Sequence, residues 1–542
     1  MSESAAPPEA SSSGGLFTRQ SSGLVRELGI PAATAIALAS VAVVNTFINF
    51  SAGLTSFSHP DMVLPLLLAA GIWFVGMFAY RYLLQAIPRA GGEYVYVSRV
   101  ISPVLGAMVG VSVAVAFTYI LAANAQFTAA FMPFALTGLG DAFSSSWIAA
   151  GANHVTSKTA IALICVGLLV IVGLLSLLPL RRVAQVILGL VVIQLLAFIA
   201  LAGILLFHSH SDFVSSFGNF SNHANAYNAV LSQAKQNGVV TGISLTASLL
   251  VVPFMVLNYN GVLYSYYVGG ELKRPGRTYM VASVISIVLL VVVWVGIWVL
   301  LRWRVGLDFM QAQAQVGGTS DYGSITSLQA NAGGLGYGLV LSGDPISKIL
   351  IGLAVPAAEI AVDLAFVAVV TRVIFALAFD RMLPIGLAKI SERNATPVNA
   401  IILAVVVAIV FTIAGSILNI ANISANLALF FAIVLLCGSI AATALPFRRP
   451  ELIYKPGTND VERVAGIPTA AIWGGISTLL ALFTVGVIIA KPNVFGAFSV
   501  ASVGSLIVIF GSGPLIYLIA RQMRLSSSSI DMRLAMRELP PE

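Results

Sequence analysis

The sequence predicts an all-α, polytopic membrane protein of about twelve spans, and three observations carry that expectation. Of 542 residues, 58% are hydrophobic and only 9% charged, against roughly 25% charged residues in a typical soluble domain. Long apolar stretches recur from about residue 30 to residue 520, many exceeding the ~20 residues an α-helix needs to cross ~30 Å of hydrocarbon. Two of these stretches are interrupted by polar residues at comparable depth. Such a chain cannot cover itself in water and must be solvated by lipid.

The elements follow in order. Residues 1–22 are rich in Ser, Ala, Gly and Pro, with no basic run feeding a short apolar core, so they read as a disordered tail and not as a cleaved signal peptide. Spans are expected near 30–57, 62–86, 103–133, 158–179, 184–207, 245–268, 279–301, 346–379, 398–416, 424–446, 467–490 and 495–520. Twelve crossings leave both termini on one side, with 521–542 as a second tail. No charge block or Pro-rich linker divides the chain into soluble domains. Residues 23–446 form a membrane core of two units, about 23–207 and 245–446, and two further spans lie within 447–520. The longest polar intervals, about 208–244 and 302–345, fall outside.

Charge sets the orientation. With cytoplasmic termini, only Lys158, Lys235, Arg302, Arg304, Lys348 and Lys491 of the 28 Lys and Arg face outward. The rest concentrate at Arg89 and Arg99, Arg181 and Arg182, Lys273 to Arg277, Arg381 to Arg393 and Arg448 to Arg463, all in inner loops. This is the positive-inside bias of a protein in the plasma membrane. The net charge of +7 therefore reflects topology and not nucleic-acid binding. His59, His154, His208, His210 and His223 all fall in outer loops, where such residues are most often solvated. Cys165 and Cys437 lie in apolar stretches as small packing residues, and neither a disulfide nor a metal cluster is suggested. No cofactor is expected.

The first span carries Asn45, Thr46 and Asn49, the sixth Asn258, Asn260 and Gly261. Matched breaks thus open two five-helix units of opposite orientation, the sequence sign of an inverted-repeat transporter with its site near the midplane. An unpaired backbone amide costs several kcal/mol in lipid, so a helix break is tolerated only against protein or a water-filled cavity. The competing reading is a pair of kinked helices whose Asn and Thr side chains glue neighbours together.

Four loop motifs carry a family resemblance. The segment Ile87-Pro88-Arg89-Ala90-Gly91-Gly92-Glu93-Tyr94 resembles the Pro-Arg-Ala-Gly-Gly-Glu-Tyr loop of the amino acid-polyamine-organocation permeases. Gly270-Glu271-Leu272-Lys273-Arg274-Pro275-Gly276-Arg277 is similar to that family's acidic, Lys, Pro, Arg loop. Thr371-Arg372, followed by Phe379-Asp380-Arg381-Met382-Leu383-Pro384 and Thr396-Pro397, matches a third pattern, and Arg448-Arg449-Pro450-Glu451 resembles a weaker fourth. The order and common membrane face make the set more specific than any one motif.

The resemblance implies the leucine-transporter fold, with spans one and six unwound around the substrate and spans eleven and twelve outside the core. Counting from the loops, the family's Gly-Ser-Gly break falls on Asn45-Thr46-Phe47, a departure in which Asn and Thr are expected to cap the break and Phe47 to fill space. The family's span-six glycine falls on Gly261, flanked by Tyr259, Asn260, Val262 and Leu263. These residues, with Asn49, are the substrate-binding candidates. Half-helix N-termini and freed carbonyls suit an amino-acid zwitterion without any charged side chain. Val262 and Leu263, where some relatives carry an acidic or bulky aromatic residue, lean toward a neutral substrate.

Glu359 and Asp363, one turn apart in span eight, are the only carboxylates the sequence places deep in the membrane. An Asp at a helix centre costs ~2.5–3.5 kcal/mol on insertion scales, so such residues are expected to face a cavity, carry protons or hold cations. Like charges at i and i+4 also discourage simultaneous ionisation. In the family, span eight lines a cation-site region against span one, near which Asp363 falls. The expectation is coupling to H⁺ or Na⁺ through this pair; the alternative is a structural, protonated or hydrogen-bonded pair. Gln194 is the most central polar residue of span five, and Asn124 and Gln126 of span three are either pocket lining or interhelical glue. Arg372 is expected to snorkel. Arg89, Glu93, Glu271 and Asp380 are candidates for an inner gate built on acid–arginine pairs, the alternative being loop charges that only fix topology.

The expected function is a secondary permease moving a small, neutral amino acid by alternating access, with the amino acid, H⁺ or Na⁺, and membrane lipid as its partners. The rivals are an exchanger of organic cations or polyamines and a non-transporting sensor. A membrane enzyme would need a catalytic set at membrane depth, and every His lies in an outer loop.

Overall fold

In the computed structural model the described residues are 24–328, 333–418, 427–453, 463–495 and 500–528, together with 532 and 536. The expected tail over 1–22, the start of the tenth span and most of the final tail lie outside them. Among the described residues eleven helices are long and apolar enough to cross a membrane, and the apolar helix Leu245–Asn258 is shorter. That short helix is the expected sixth span. Its α-helix stops at Asn258, and the chain continues through turns and the 3₁₀ segments Tyr264–Tyr267 and Gly269–Glu271.

The first span is broken too, at a different place from that expected. Helix Ile30–Val41 ends where Ala42 takes a left-handed backbone (φ 49°, ψ 77°), a 3₁₀ turn covers Val43–Asn45, and a second helix runs Thr46–Ser56. The break therefore precedes Thr46 and Phe47, which already belong to the second helix. Asn45 forms no cap hydrogen bond, contrary to the capping expected of it. Instead the freed carbonyl of Val43 accepts from the indole N–H of Trp294 in the seventh span at 3.0 Å. A neighbouring helix satisfies the break, as lipid cannot.

The eighth span, Pro345–Phe379, runs through the centre: 94% of its most apolar window is buried, against 28% for the eleventh span and 11% for the twelfth. The last two helices thus lie at the periphery. The third span is longer than expected, Pro103–Ala142, and starts on Ser102, whose side chain accepts from the Leu105 N–H. The two polar intervals are not loops. They hold His210–Phe220, Ala226–Gln236, Leu307–Val316, Ser320–Ile325 and Gly333–Leu341, joined by an aromatic core in which Tyr227 stacks on Phe309 with centroids 4.4 Å apart.

On the opposite face, the loops close by backbone pairing. The Gly91 N–H donates to Tyr267 at 3.0 Å, Leu28 donates to Glu271 at 2.9 Å, and Lys273 donates back to Leu28 at 2.9 Å. The second-span loop and the chain before the first span are thereby stitched to the end of the sixth.

Candidate functional site

The two broken spans meet. The Asn258 Nδ2 donates to Thr46 Oγ1 at 3.0 Å, and its Oδ1 accepts from Asn49 Nδ2 at 2.8 Å. Above this ladder Gly261 has φ 106°, and a Cβ built on it would lie 2.5 Å from the backbone oxygen of Ser40. Only glycine allows this approach. Gly261, a substrate-binding candidate, makes direct contact between the spans in this conformation.

The remaining candidates separate into groups. Tyr259 is buried with its ring 4.6 Å from Trp294, and Asn260 Oδ1 accepts from the Tyr264 hydroxyl at 2.8 Å. Val262 and Leu263 are fully buried, Leu263 reaching toward Gly76 of the second span. Phe47 turns away from the Asn258 ladder. It stacks on Phe198 at 5.4 Å and packs beneath Gly333 and Gly334, beside a cavity of about 20 Å³ with room for no more than a water.

Glu359 and Asp363 are both 0% exposed. Asp363 Oδ1 accepts from Asn124 Nδ2 at 3.1 Å, while its Oδ2 has no partner. Glu359 lies against the side chain of Asn45, in the first-span break, yet neither of its oxygens forms a hydrogen bond, nor does Asn45 Oδ1. None of the described ion pairs involves either acid. A buried carboxylate without counter-charge is costly, so the pair must carry protons or hold a cation. Of the two span-three amides, Asn124 serves the carboxylates, whereas Gln126 reaches the Thr412 carbonyl at 3.5 Å and ties two helices together. Among the described residues, Gln194 bonds to its own helix, at Leu190.

Below the breaks the loop face is sealed in layers. Phe117 contacts Phe366, Tyr264 and Phe431 at centroid distances of 4.8, 5.4 and 5.8 Å. Next, buried Glu93 accepts from the hydroxyls of Tyr80, at 2.9 Å, and Tyr266. The expected pairing of Glu93 with an arginine is therefore wrong. The adjacent arginine, Arg99, is taken by Asp380, through contacts of 2.8 and 2.6 Å, with the Tyr94 hydroxyl adding a third at 2.6 Å. Burial works against the charged Arg99 guanidinium, but Asp380 and Tyr94 beside it together hold its proton more tightly than usual. Arg372 does not snorkel. It is 2% exposed and grips Glu271 with two contacts, 2.8 and 3.0 Å, because the 3₁₀ end of the sixth span brings that acid to it. Arg89 is half-buried at the edge of this layer.

Sequence reasoning missed Trp294, the tyrosines around Glu93 and the partner of Arg372. One signal was visible: the run Tyr264-Ser265-Tyr266-Tyr267 immediately after the break.

A search among curated proteins finds no match. The model of the amino acid permease family matches residues 32–527, a stretch that takes in both broken spans, the buried carboxylates and the sealed loop face. The chain therefore belongs to the amino acid permease family and is a multi-pass membrane protein that transports amino acids.

Proposed function

We propose that this chain is a secondary active permease that moves a small, neutral amino acid across the plasma membrane by alternating access, with both termini cytoplasmic, driven by H⁺ or Na⁺. The observation that carries this reading is the placement of two uncompensated, fully buried carboxylates, Glu359 and Asp363, against Asn45 in the first-span break. A cation or proton bound there offsets their charge and alters the position of the first span, and with it the contacts between Thr46, Asn49 and Asn258. The substrate is held between the breaks at Val43–Asn45 and Tyr259–Leu263, where the α-helical ladder is interrupted and no charged side chain is needed. The apolar Val262 and Leu263 support a neutral substrate. Arg372–Glu271 and Arg99–Asp380 hold the cytoplasmic face shut until the sixth span moves.

Exchange of organic cations or polyamines is the second reading, favoured by the same two acids, which suit an ammonium group as well as Na⁺. Uptake into proteoliposomes separates them. Labelled neutral amino acids and polyamines are presented with an inward proton gradient, a sodium gradient, or substrate preloaded inside. Accumulation of a neutral amino acid under one of the ion gradients supports the coupled permease. Accumulation of a polyamine only against preloaded substrate contradicts it.

A further inference from the structure

We propose that Glu93 holds one proton while the loop face is closed and must release it for that face to open. The inference rests on the alternating-access reading and adds a second titrating site, separate from the span-eight pair. Glu93 begins the short helix Glu93–Val100 between the second and third spans and is 2% exposed. Its Oε1 accepts from the hydroxyls of Tyr80 and Tyr266, and its Oε2 is buried with no partner.

The titratable groups shown to act on it among the described residues are neutral near neutral pH, and Arg89 lies four residues before it in the same loop. Those neutral groups are Tyr80 from the second span, Tyr264, Tyr266 and Tyr267 from the sixth, Tyr279 from the seventh, Cys437 from the tenth and Tyr96 from its own helix. The third and eighth spans also pack on this helix. The buried charges on that side, Arg99 with Asp380 and Arg372 with Glu271, are engaged with each other. An ionised Glu93 in this enclosure would be a buried charge without a counter-ion. Burial pushes the carboxyl above its ordinary range, and the hydroxyls of Tyr266, Tyr267 and Tyr80 offset only part of that. We place the proton on Oε2, which has no hydrogen-bond partner within reach.

Opening removes the enclosure. Gly91 and Gly92, both at positive φ, carry the loop directly beneath Tyr267, where a Cβ on Gly92 would lie 2.3 Å from the ring. Parting the sixth span from this loop withdraws Tyr266 and admits water. The Oε2–H bond then breaks, the proton passes to water, and no other bond changes. The closed face thus binds one proton more than the open face. Acid favours closure; that contribution is complete below the ordinary carboxyl range and disappears as pH rises through the raised value of enclosed Glu93.

The test uses the full chain in proteoliposomes, measuring initial uptake against internal pH at fixed external pH. Wild-type uptake is expected to fall as the interior is acidified, approaching about tenfold per pH unit as the ionised fraction falls. Glu93→Gln keeps an acceptor for both hydroxyls but cannot ionise, so it is expected to be slow and flat with internal pH. A wild-type rate indifferent to internal pH, or a Glu93→Gln protein that keeps the wild-type dependence, overturns the proposal. An infrared difference spectrum, wild type minus Glu93→Gln, reads the same proton without transport. A carboxylic-acid C=O band near neutral pH is expected, and carboxylate bands alone would contradict the inference. Should the wild type move no substrate under any gradient, the transport reading fails while the infrared band still decides Glu93.

Discussion

The two broken spans solve one physical problem in different ways. The first span breaks over Ala42–Asn45 and resumes as an α-helix at Thr46, whereas the sixth never resumes one after Asn258. Polar capacity is left over at the first break: Asn45 Oδ1 and three of the four oxygens of Glu359 and Asp363 have no hydrogen-bond partner. The sixth break is closed by contact, with Gly261 against Ser40 and tyrosines beneath it. The difference teaches a division in which the first break leaves polar groups unpaired beside two buried acids, while the sixth is packed shut by glycine and tyrosines. On the proposed reading the first meets the driving ion and the sixth moves with the seal.

That division can be broken by substitution. The largest effect on transport is expected from Gly261→Ala, where strain at positive φ and overlap with Ser40 together cost about 2–5 kcal/mol. Uptake should fall to background while the protein still reaches the membrane, measured by transport alongside membrane fractionation. Next comes Glu271→Gln, which strips buried Arg372 of its counter-charge at about 3–5 kcal/mol when the pair is fully enclosed, less as water enters. A lowered thermal midpoint in detergent is expected, and restoration by the Arg372→Met, Glu271→Leu double variant would show that the deficit is the lone charge. Asn258→Ala removes both bonds between the breaks, each worth about 0.6 kcal/mol in a membrane interior. A few-fold change in apparent substrate affinity is expected, read from uptake against substrate concentration. Smallest is Gln126→Ala, whose loss of one long contact to Thr412 should leave uptake within about twofold, an energy under ~0.5 kcal/mol. Asn124→Ala, by contrast, should shift the ion dependence, because Asn124 bonds to Asp363.

Much of this was legible in the sequence because lipid makes polar residues conspicuous. Asn45, Asn258, Glu359 and Asp363 stand out in apolar runs, and each lies at or beside a break or in the buried centre. The position of the first break was not legible, since Ala42 carries no turn signal and the Val43 carbonyl after it is satisfied by Trp294, 251 residues away in sequence. Arg372 was misread because snorkelling is the default for an arginine near a helix end, and its partner Glu271 lies 101 residues away in sequence. The pairing of Glu93 with tyrosines was hidden for the same reason: Tyr80 and Tyr266 come from two different spans. Outer helices were read as loops because their aromatic residues are spaced among polar ones and find each other only in three dimensions.

The central claim is that the span-eight carboxylates couple transport to an ion. It is tested most directly by comparing gradient-driven uptake and substrate exchange for wild-type and Asp363→Asn protein in the same proteoliposomes. The account predicts that the variant loses accumulation driven by the proton or sodium gradient while still exchanging substrate across the membrane. A variant that accumulates substrate with its full dependence on the gradient would contradict it.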